Sequence, residues 1–259
     1  MSNWQNSNWQ SDAQKIKQDF DHDGYVLLRG FCSPEQMQEL SGQLDRYVRE
    51  VIPGLGPEEN FYEDKDRPET LKYAKSLEQH DEYFQKLFTS DQFVGLAELL
   101  LEGPVVCRDL SMFDKPARVG AITPAHQEGY YFMLSPSEAL TMWLAIDPVD
   151  EENGCIRYVR GSNRRGLRDH HRTSTLGFSQ GISDYGPEDE QNEAPIIAQP
   201  GDLLVHHCDT IHRADANLSD RPRRAFGFVY FAARAKSDTQ RVEEYQKSLM
   251  AELAETGKI

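Results

Sequence analysis

The chain has 259 residues, and its 43 aspartates and glutamates outnumber its 28 lysines and arginines, which gives a formal net charge of −15. This acidity argues against a nucleic-acid-binding protein, because phosphate binding needs an excess of basic residues. Hydrophobic residues make up 38% of the chain, enough for a packed core. No apolar run reaches the roughly 18 residues of a membrane span. The sequence therefore predicts a soluble globular protein with one domain, residues 1–259.

The cysteines and the first residues indicate the cellular compartment. The four cysteines are Cys32, Cys107, Cys155 and Cys208. They are scattered without a CxxC pair, which is typical of reduced thiols in a core. Residues 1–12 lack the basic and apolar regions of a secretory leader, so we expect a cytoplasmic protein. The same residues predict a disordered tail, with docking of Trp4 or Trp9 onto the body as the alternative.

The first hundred residues predict mainly helices. The second helix has the clearest start, because Ser33 is a suitable N-cap, Pro34 stands at the first helical position and Gln36 completes a capping box. A loop is predicted over 53–70, where Pro, Gly and acidic residues accumulate. In chain order, the other predicted elements are a helix over 11–23, a buried strand over 25–28 and helical sequence over 78–102.

After Gly103 and Pro104 the pattern changes to short β-rich segments separated by turns. The predicted strands are 105–113, 130–134, 140–146, 155–159, 202–205 and 225–232. Helices followed by a run of short strands favour a mainly β fold with flanking helices (α+β), in which a sandwich or barrel is braced by the N-terminal helices. A final polar helix over about 239–255 is expected to pack on the outside.

Two histidines and one carboxylate carry the clearest chemical signal. His126 and Glu128 are two residues apart, so on a strand their side chains would point to the same face. His212 lies downstream, after a turn and a strand. Two histidines and a carboxylate form the facial triad of non-haem Fe(II) oxygenases, which leaves three metal positions open. Arg223, eleven residues beyond His212, suits the far carboxylate of a bidentate co-substrate.

Five segments, taken in order, resemble the phytanoyl-CoA dioxygenase family. They are HQEGYYF (126–132), LTMWLAI (140–146), ENGCIRYVRGS (152–162), PGDLLVHH (200–207) and IHRADANLSDRPRRAF (211–226). That family consists of Fe(II)- and 2-oxoglutarate-dependent oxygenases on a double-stranded β-helix, a jelly-roll or cupin-like fold. The resemblance runs from about Val105 to Phe231 and extends weakly to residues 20–31. It implies a jelly-roll core over 105–232.

Six residues match functional positions of the family. His126, Glu128 and His212 match the metal ligands, Arg223 matches the arginine that holds 2-oxoglutarate, and Trp143 and Ser111 match two further contacts of the co-substrate. Arg221 and Arg224 are rivals of Arg223, because a slip within RPRR would exchange them; the spacing from His212 favours Arg223. The family usually has Asp where this chain has Glu128. Halogenating relatives have a small residue there, so a carboxylate argues for hydroxylation.

The resemblance implies a dioxygenase that uses Fe(II), 2-oxoglutarate and O2 to hydroxylate a C–H bond of a small-molecule metabolite, releasing succinate and CO2. A non-catalytic metal-binding jelly roll is one alternative. A zinc hydrolase with the same three ligands is another, less favoured because helical HExxH is absent and Arg223 would have no purpose. His206 and His207 remain open as further ligands or substrate contacts. Neither the substrate nor the oligomeric state follows from the sequence.

Three features bear on the substrate. The stretch 157–172 has six arginines and one acid, which favours a loop paired to the acidic surface; the alternative is that Arg164 and Arg168 attract a small anionic substrate. Side-chain alternation sends Tyr130 towards the metal, which makes it a candidate substrate contact. The glycine-containing segment 173–195 predicts a mobile lid.

Overall fold

The computed structural model describes Trp4, residues 8–173 and residues 180–255. The α-helices are α1 (Ala13–Asp23), α2 (Pro34–Glu50), α3 (Leu77–His80), α4 (Glu82–Phe88), α5 (Asp91–Leu100), α6 (Gly129–Phe132), α7 (Pro187–Gln191) and α8 (Thr239–Glu255). Turns of 3-10 helix span Asn8–Asp12, Ile52–Gly54, Pro68–Thr70 and Ser162–Arg165. No helix in these described stretches is both long and apolar enough to cross a bilayer.

The strands form two main antiparallel sheets. They are β1 (Tyr25–Leu28), β2 (Asn60–Tyr62), β3 (Leu71–Ala74), β4 (Val105–Lys115), β5 (Thr123–His126), β6 (Leu134–Ser135), β7 (Ala139–Ala145), β8 (Ile156–Val159), β9 (His170–Arg172), β10 (Gln180–Ile182), β11 (Glu193–Pro195), β12 (Leu203–His207), β13 (His212–Ala214), β14 (Arg223–Ala232) and β15 (Lys236–Ser237). The larger sheet has the order β1-β12-β7-β14-β4-β3-β2, and the smaller one has the order β11-β8-β13-β5.

Side-chain alternation gives the larger sheet two different faces. On its outer face, Phe226 and Phe228 of β14 lie in the main hydrophobic core with the N-terminal helices. Phe228 stacks on Phe93 of α5 with ring centroids 4.3 Å apart, and Phe226 contacts Phe84 of α4 at 5.5 Å. Burying these rings between helices and sheet removes apolar area from water and anchors the helical layer.

The inner face of the larger sheet looks towards the smaller sheet. Trp143, Ala145 and Ala225 of the larger sheet form a second core cluster with Ile156 and Tyr158 of the smaller one. Because successive residues of a strand point to opposite faces, the same strand that braces the helices also presents polar residues to the space between the sheets. This is the space in which the candidate site lies.

Several predicted elements appear with the expected bounds. Tyr25–Leu28 is a strand, and α2 begins with the predicted capping box, in which the Ser33 hydroxyl accepts from the backbone N–H of Gln36. The predicted helical stretch 78–102 is divided into three helices, since the Asp81 side chain caps the start of α4 and α5 starts after Ser90. The predicted mainly β fold with flanking helices is confirmed.

Two local predictions differ from the structure. Residues 130–134 were expected to form a strand, but the Glu128 carbonyl accepts from the N–H groups of Tyr131 and Phe132, so the chain makes a helical turn there. At the described N-terminal positions the structure departs from a disordered tail. Trp9 is 9% exposed, and the Trp4 ring lies 6.0 Å from that of Phe93. The four cysteines are free thiols.

Asp202 ties the turn before β12 to the end of β1, and its replacement is expected to destabilise the fold. Its buried carboxylate accepts from the backbone N–H groups of Gly30 and Gln199, each at 2.8 Å, and from Arg29 at 2.7 Å. Asp202→Ala leaves two backbone donors unpaired, so we expect a loss of about 2–4 kcal/mol in the free energy of unfolding, measured by urea denaturation. The exposed Asp220→Ala is the control, and an equal loss in both variants would contradict this role.

Candidate active site

His126, Glu128 and His212 converge between the two sheets. His126 ends β5 and is paired in register with His212 at the start of β13, so the two rings lie side by side with centroids 4.2 Å apart. The Glu128 Oε1 atom lies 3.3 Å from Nε2 of His126 and 3.6 Å from Nε2 of His212. Three nitrogen and oxygen donors at these distances can all contact one metal ion. The structure thus brings together the three predicted ligands.

Both imidazoles are oriented by backbone carbonyls. Nδ1 of His126 lies 2.7 Å from the Pro124 carbonyl, and Nδ1 of His212 lies 3.0 Å from the Thr210 carbonyl. Because a carbonyl only accepts, each Nδ1 carries the proton and each Nε2 is left with its lone pair directed at Glu128. This is the tautomer that a metal ligand needs.

Gln127, between the two ligands, clamps this turn in place. Its side-chain amide donates to the carbonyls of Gly166 and Asp209 at 3.0 and 2.7 Å, and its Oε1 accepts from the N–H of Arg168 at 2.9 Å. The side chain is fully buried. Two loops, at residues 166–168 and at Asp209, therefore hold the short segment that carries His126 and Glu128, which keeps the ligands in position without a regular strand.

The electrostatics of the three residues suit a divalent cation. Burial alone would raise the pKa of Glu128, but the adjacent imidazoles of His126 and His212 outweigh burial and hold that pKa well below its usual range. Burial, together with the nearby His126, lowers the pKa of His212. A carboxylate that stays ionised beside a neutral imidazole is the state that binds metal. The set of two imidazoles and one carboxylate fits Fe(II) with three positions left for other ligands.

A cavity adjoins the three residues, and Arg223 faces it. The Arg223 guanidinium lies over the Trp143 ring at 5.0 Å and is 5% exposed. Its Nε atom has no hydrogen-bond partner in the described parts of the chain, and neither has Nε2 of His206, which lines the same cavity. Buried donors without partners are costly, so this cavity is built to receive a polar ligand. An anionic keto acid fits these donors.

The rival arginines are engaged elsewhere. Arg224 donates to Asp147 through Nε and Nη2 at 3.0 and 2.9 Å, while Arg221 pairs with Asp150 at 2.8 Å near the surface. Asn217 fixes the turn before β14 by donating to the carbonyls of Lys115 and Arg221. Of the three, Arg223 alone is directed into the cavity.

Two buried lysines in the cavity were not singled out from the sequence. Lys115 on β4 pairs in register with Arg223, and its Nζ bonds the Ala121 carbonyl. Burial, and then the positive charges of Arg223 and Lys72, lower the pKa of Lys115 to about 6. Lys72 on β3 lies 3.1 Å from Glu63. Lys115 lies four residues after Ser111, so on a strand the two side chains point to the same face, and this spacing could have indicated Lys115. Nothing in the sequence pattern around Lys72 distinguishes that lysine.

Glu128 also lines a second, larger cavity. Ser111 faces this second cavity, where its hydroxyl hydrogen-bonds Tyr73 at 3.0 Å. Ser111 was predicted to contact the co-substrate, whereas here it lies outside the cavity that Arg223 faces. The register explains the difference, because Ser111 is opposite Gly227, four residues or about 13 Å along β14 from Arg223.

The helical turn after Glu128 changes which aromatic ring faces the metal ligands. Tyr130 was expected there by strand alternation, but it stacks on His170, with centroids 4.3 Å apart, and does not line either cavity. Tyr131 instead lines the second cavity, with its ring edge-on to His126 at 6.2 Å. The expectation for Tyr130 is therefore wrong, because alternation applies only to extended chain.

The arginine-rich loop pairs with acidic residues at the surface, which is the interpretation that its sequence favoured. Arg168 donates to both oxygens of Asp189 at 2.9 Å and also pairs with Asp184. Arg164 is exposed and lines neither cavity. The structure therefore does not place Arg164 or Arg168 as substrate contacts, since one is fully paired and the other points away.

The remaining candidates lie around this centre. The buried His206 hydrogen-bonds the Tyr158 hydroxyl at 2.9 Å, with its ring 4.4 Å from that of His212. His207 lies beside Cys208 and Asp209 in a second group of potential metal donors, but the Asp209 carboxylate there already accepts from Ser137. Within the predicted lid, residues 174–179 lie outside the described residues, and the rest contains β10, α7 and β11.

Comparison with known proteins gives the family. The sequence profile described as Phytanoyl-CoA dioxygenase (PhyH) matches residues 20–225. The chain belongs to this family. A bovine relative, "Phytanoyl-CoA dioxygenase domain-containing protein 1" of Bos taurus, is 25% identical over 254 residues, which cover 82% of this chain and 87% of the relative. The predicted family is thereby confirmed.

Solved structures confirm the jelly-roll fold. EvdO2 from Micromonospora carbonacea var. aurantiaca, complexed with 2-oxoglutarate, is 25% identical with a TM-score of 0.68, covering 86% of this chain and 91% of that one. The epimerase SnoN, in complex with Fe3+, alpha ketoglutarate and nogalamycin RO, is 22% identical with a TM-score of 0.72, covering 88% and 86%. As a member of the phytanoyl-CoA dioxygenase family, this chain is an oxygenase that depends on iron, 2-oxoglutarate and O2, as predicted.

Proposed function

We propose that this phytanoyl-CoA dioxygenase family member hydroxylates a C–H bond of a small-molecule metabolite in the cytoplasm. One observation carries the proposal: the buried Arg223, whose Nε has no hydrogen-bond partner among the described residues, faces a cavity that the metal-ligand set of His126, Glu128 and His212 also lines. A zinc hydrolase with these ligands would leave that guanidinium without a purpose. The free thiols agree with a reducing compartment.

Each residue has a distinct task in this proposal. His126, Glu128 and His212 would hold Fe(II), and backbone carbonyls set the Nδ1 protons and the orientation of the two imidazoles. When bound, the iron with 2-oxoglutarate and O2 supplies the oxidising chemistry and releases succinate and CO2. Arg223 pairs in fork geometry with the far carboxylate of the keto acid, and Trp143 packs against that guanidinium.

The two cavities separate the co-substrate from the substrate. Glu128 lines both, so a molecule in the second cavity lies beside the metal position without occupying the place of the keto acid. The carboxylate at this position also takes the coordination site that halogenating relatives leave open. These arrangements favour hydroxylation of a substrate held between Tyr131 and β4.

The reaction class can be tested with labelled oxygen. Mixed anaerobically with Fe(II) and 2-oxoglutarate, the protein is expected to develop a weak visible charge-transfer band, and to form succinate when air is admitted. With a substrate and ¹⁸O2, hydroxylation adds one labelled oxygen to the product, detected by mass spectrometry. An epimerisation, the reaction named for SnoN, would leave the mass of the product unchanged.

The metal ligand is tested by Glu128→Ala, with the exposed Glu98→Gln as its control. Loss of the carboxylate removes the one anionic ligand, so we expect no visible band and no succinate from the variant, while the control behaves as the parent protein. If Glu128→Ala retained full iron affinity in an anaerobic titration, the assigned ligand set would be wrong. A non-catalytic jelly roll would bind iron in the parent but form no succinate.

Arg223→Met is expected to weaken 2-oxoglutarate binding by about 100-fold or more, because two charge-assisted hydrogen bonds are lost. Arg223→Lys keeps the charge without the fork and should fall between the parent and the methionine variant. Arg221→Met, at the same turn but paired with Asp150, is the control. The measurement is the 2-oxoglutarate concentration dependence of the anaerobic visible band. Equal effects of Arg221→Met and Arg223→Met would remove Arg223 from this role.

Lys115 predicts a pH dependence for co-substrate binding. Burial lowers its pKa to about 6, so the free protein holds it mainly neutral at higher pH. A bound dianion favours the charged lysine and raises that pKa, so binding takes up a proton. The affinity for 2-oxoglutarate should therefore fall as pH rises above about 6. The fall is up to about tenfold per pH unit between the pKa of Lys115 in the free protein and its higher pKa in the complex. Lys115→Met should flatten the pH dependence of 2-oxoglutarate affinity in titrations from about pH 6.5 to 8.5. The same slope in the variant and the parent protein would contradict this role of Lys115.

A further inference from the structure

A β-bulge in β4 turns two adjacent charged side chains towards the second cavity. Along β14, Val229 and Tyr230 are consecutive, but their partners on β4 are Asp109 and Cys107. Arg108 is the extra residue of this bulge. In regular extended chain Arg108 and Asp109 would point to opposite faces, whereas here both line the cavity that Glu128 lines. Bulges commonly redirect side chains beside active sites.

The two side chains carry opposite charges that the protein itself does not neutralise. The half-buried Asp109 accepts from the Ser76 hydroxyl at 3.0 Å and from the Ser111 hydroxyl. No ion pair with Asp109 occurs among the residues that the structure describes. Arg108 is exposed at the cavity and likewise has no acidic partner within those stretches. Two hydroxyl groups hold the Asp109 carboxylate in place, and the Arg108 guanidinium is available to a ligand.

The rest of the lining is suited to a polar molecule. Hydroxyl and amide groups come from several elements: Tyr73, Ser76, Gln79, Ser111, Ser237 and Gln246. Phe132 and Phe231, with ring centroids 4.9 Å apart, supply an apolar wall. A long acyl chain would offer no partner to the charges of Arg108 and Asp109. A compact ligand with its own charges would satisfy them.

We propose that Arg108 and Asp109 select the substrate, and that this substrate is a small organic acid with a hydrogen-bond donor close to its carboxylate. Arg108 pairs with the carboxylate in fork geometry, and Asp109 accepts from the donor, an ammonium or a hydroxyl group. Free amino acids and 2-hydroxy acids share this chemistry. The inference rests on the proposed oxygenase function and names the substrate class of the same site.

The test uses the holoenzyme with the protein amino acids and the corresponding 2-hydroxy acids as probes. Succinate release is measured above the rate without a probe, and binding is measured as a shift of the visible band of the anaerobic Fe(II)–2-oxoglutarate enzyme. We expect at least one probe to do both. Whether amino acids or hydroxy acids respond identifies the donor as ammonium or hydroxyl.

Three variants then test the roles of Arg108 and Asp109, using a probe that accelerates succinate release. Arg108→Gln should raise KM about tenfold or more with a much smaller change in kcat, since a charge-assisted pair is lost. Asp109→Asn should reduce the preference for the probe over its analogue without the donor by about tenfold or more. Arg164→Gln, an exposed arginine outside both cavities, is the matched control and should resemble the parent.

The outcomes distinguish this inference from the proposed function. If the enzyme converts 2-oxoglutarate alone but no probe shifts the band or accelerates succinate release, the substrate class is wrong and the oxygenase function stands. Equal KM values for Arg108→Gln and Arg164→Gln would also overturn the assignment. Absence of both the visible band and succinate under every condition would count against the oxygenase function itself.

Discussion

The site depends on two hydrogen bonds from imidazole to backbone. The carbonyls of Pro124 and Thr210 fix the Nδ1 protons of His126 and His212, so both Nε2 atoms point at Glu128. Pro124 belongs to β5 and Thr210 to the turn just before β13, and the pairing of these two strands brings the rings within 4.2 Å. Without this orientation, three residues of the right type would be close together but not directed at one point. The backbone of the smaller sheet therefore determines the coordination geometry.

Much of this arrangement could be predicted from the sequence because it is local or spaced by strands. The capping box at Ser33, the two histidines with Glu128, and the choice of Arg223 over Arg221 and Arg224 all follow from residue type and spacing. The choice of Arg223 agrees with the structure, in which Arg224 is held by Asp147 and Arg221 by Asp150. The roles of these residues remain proposals, but their positions needed no long-range information.

The missed features depend on register and on turns that periodicity does not show. Tyr130 was misplaced because the chain turns immediately after Glu128, where aromatic residues suggested a strand. Ser111 was expected to contact the co-substrate, but inter-strand register sets it about 13 Å along the sheet from Arg223, in the second cavity. Arg108 faces the cavity only because of a bulge, which cannot be read from a single strand's alternation.

The two cavities differ in the charges of their lining residues, and this difference bears on which molecule binds in each. The cavity beside Arg223 also contains Lys72 and Lys115, so a dianionic keto acid is favoured there. Burial, and then the positive charges of Arg223 and Lys72, lower the pKa of Lys115, and a bound anion would oppose this shift. In the second cavity, the carboxylate of Asp109 next to Arg108 disfavours a second dianion but accommodates a ligand that carries both a negative group and a donor. Glu128 lines both cavities, so both ligands would lie next to the same metal ligand.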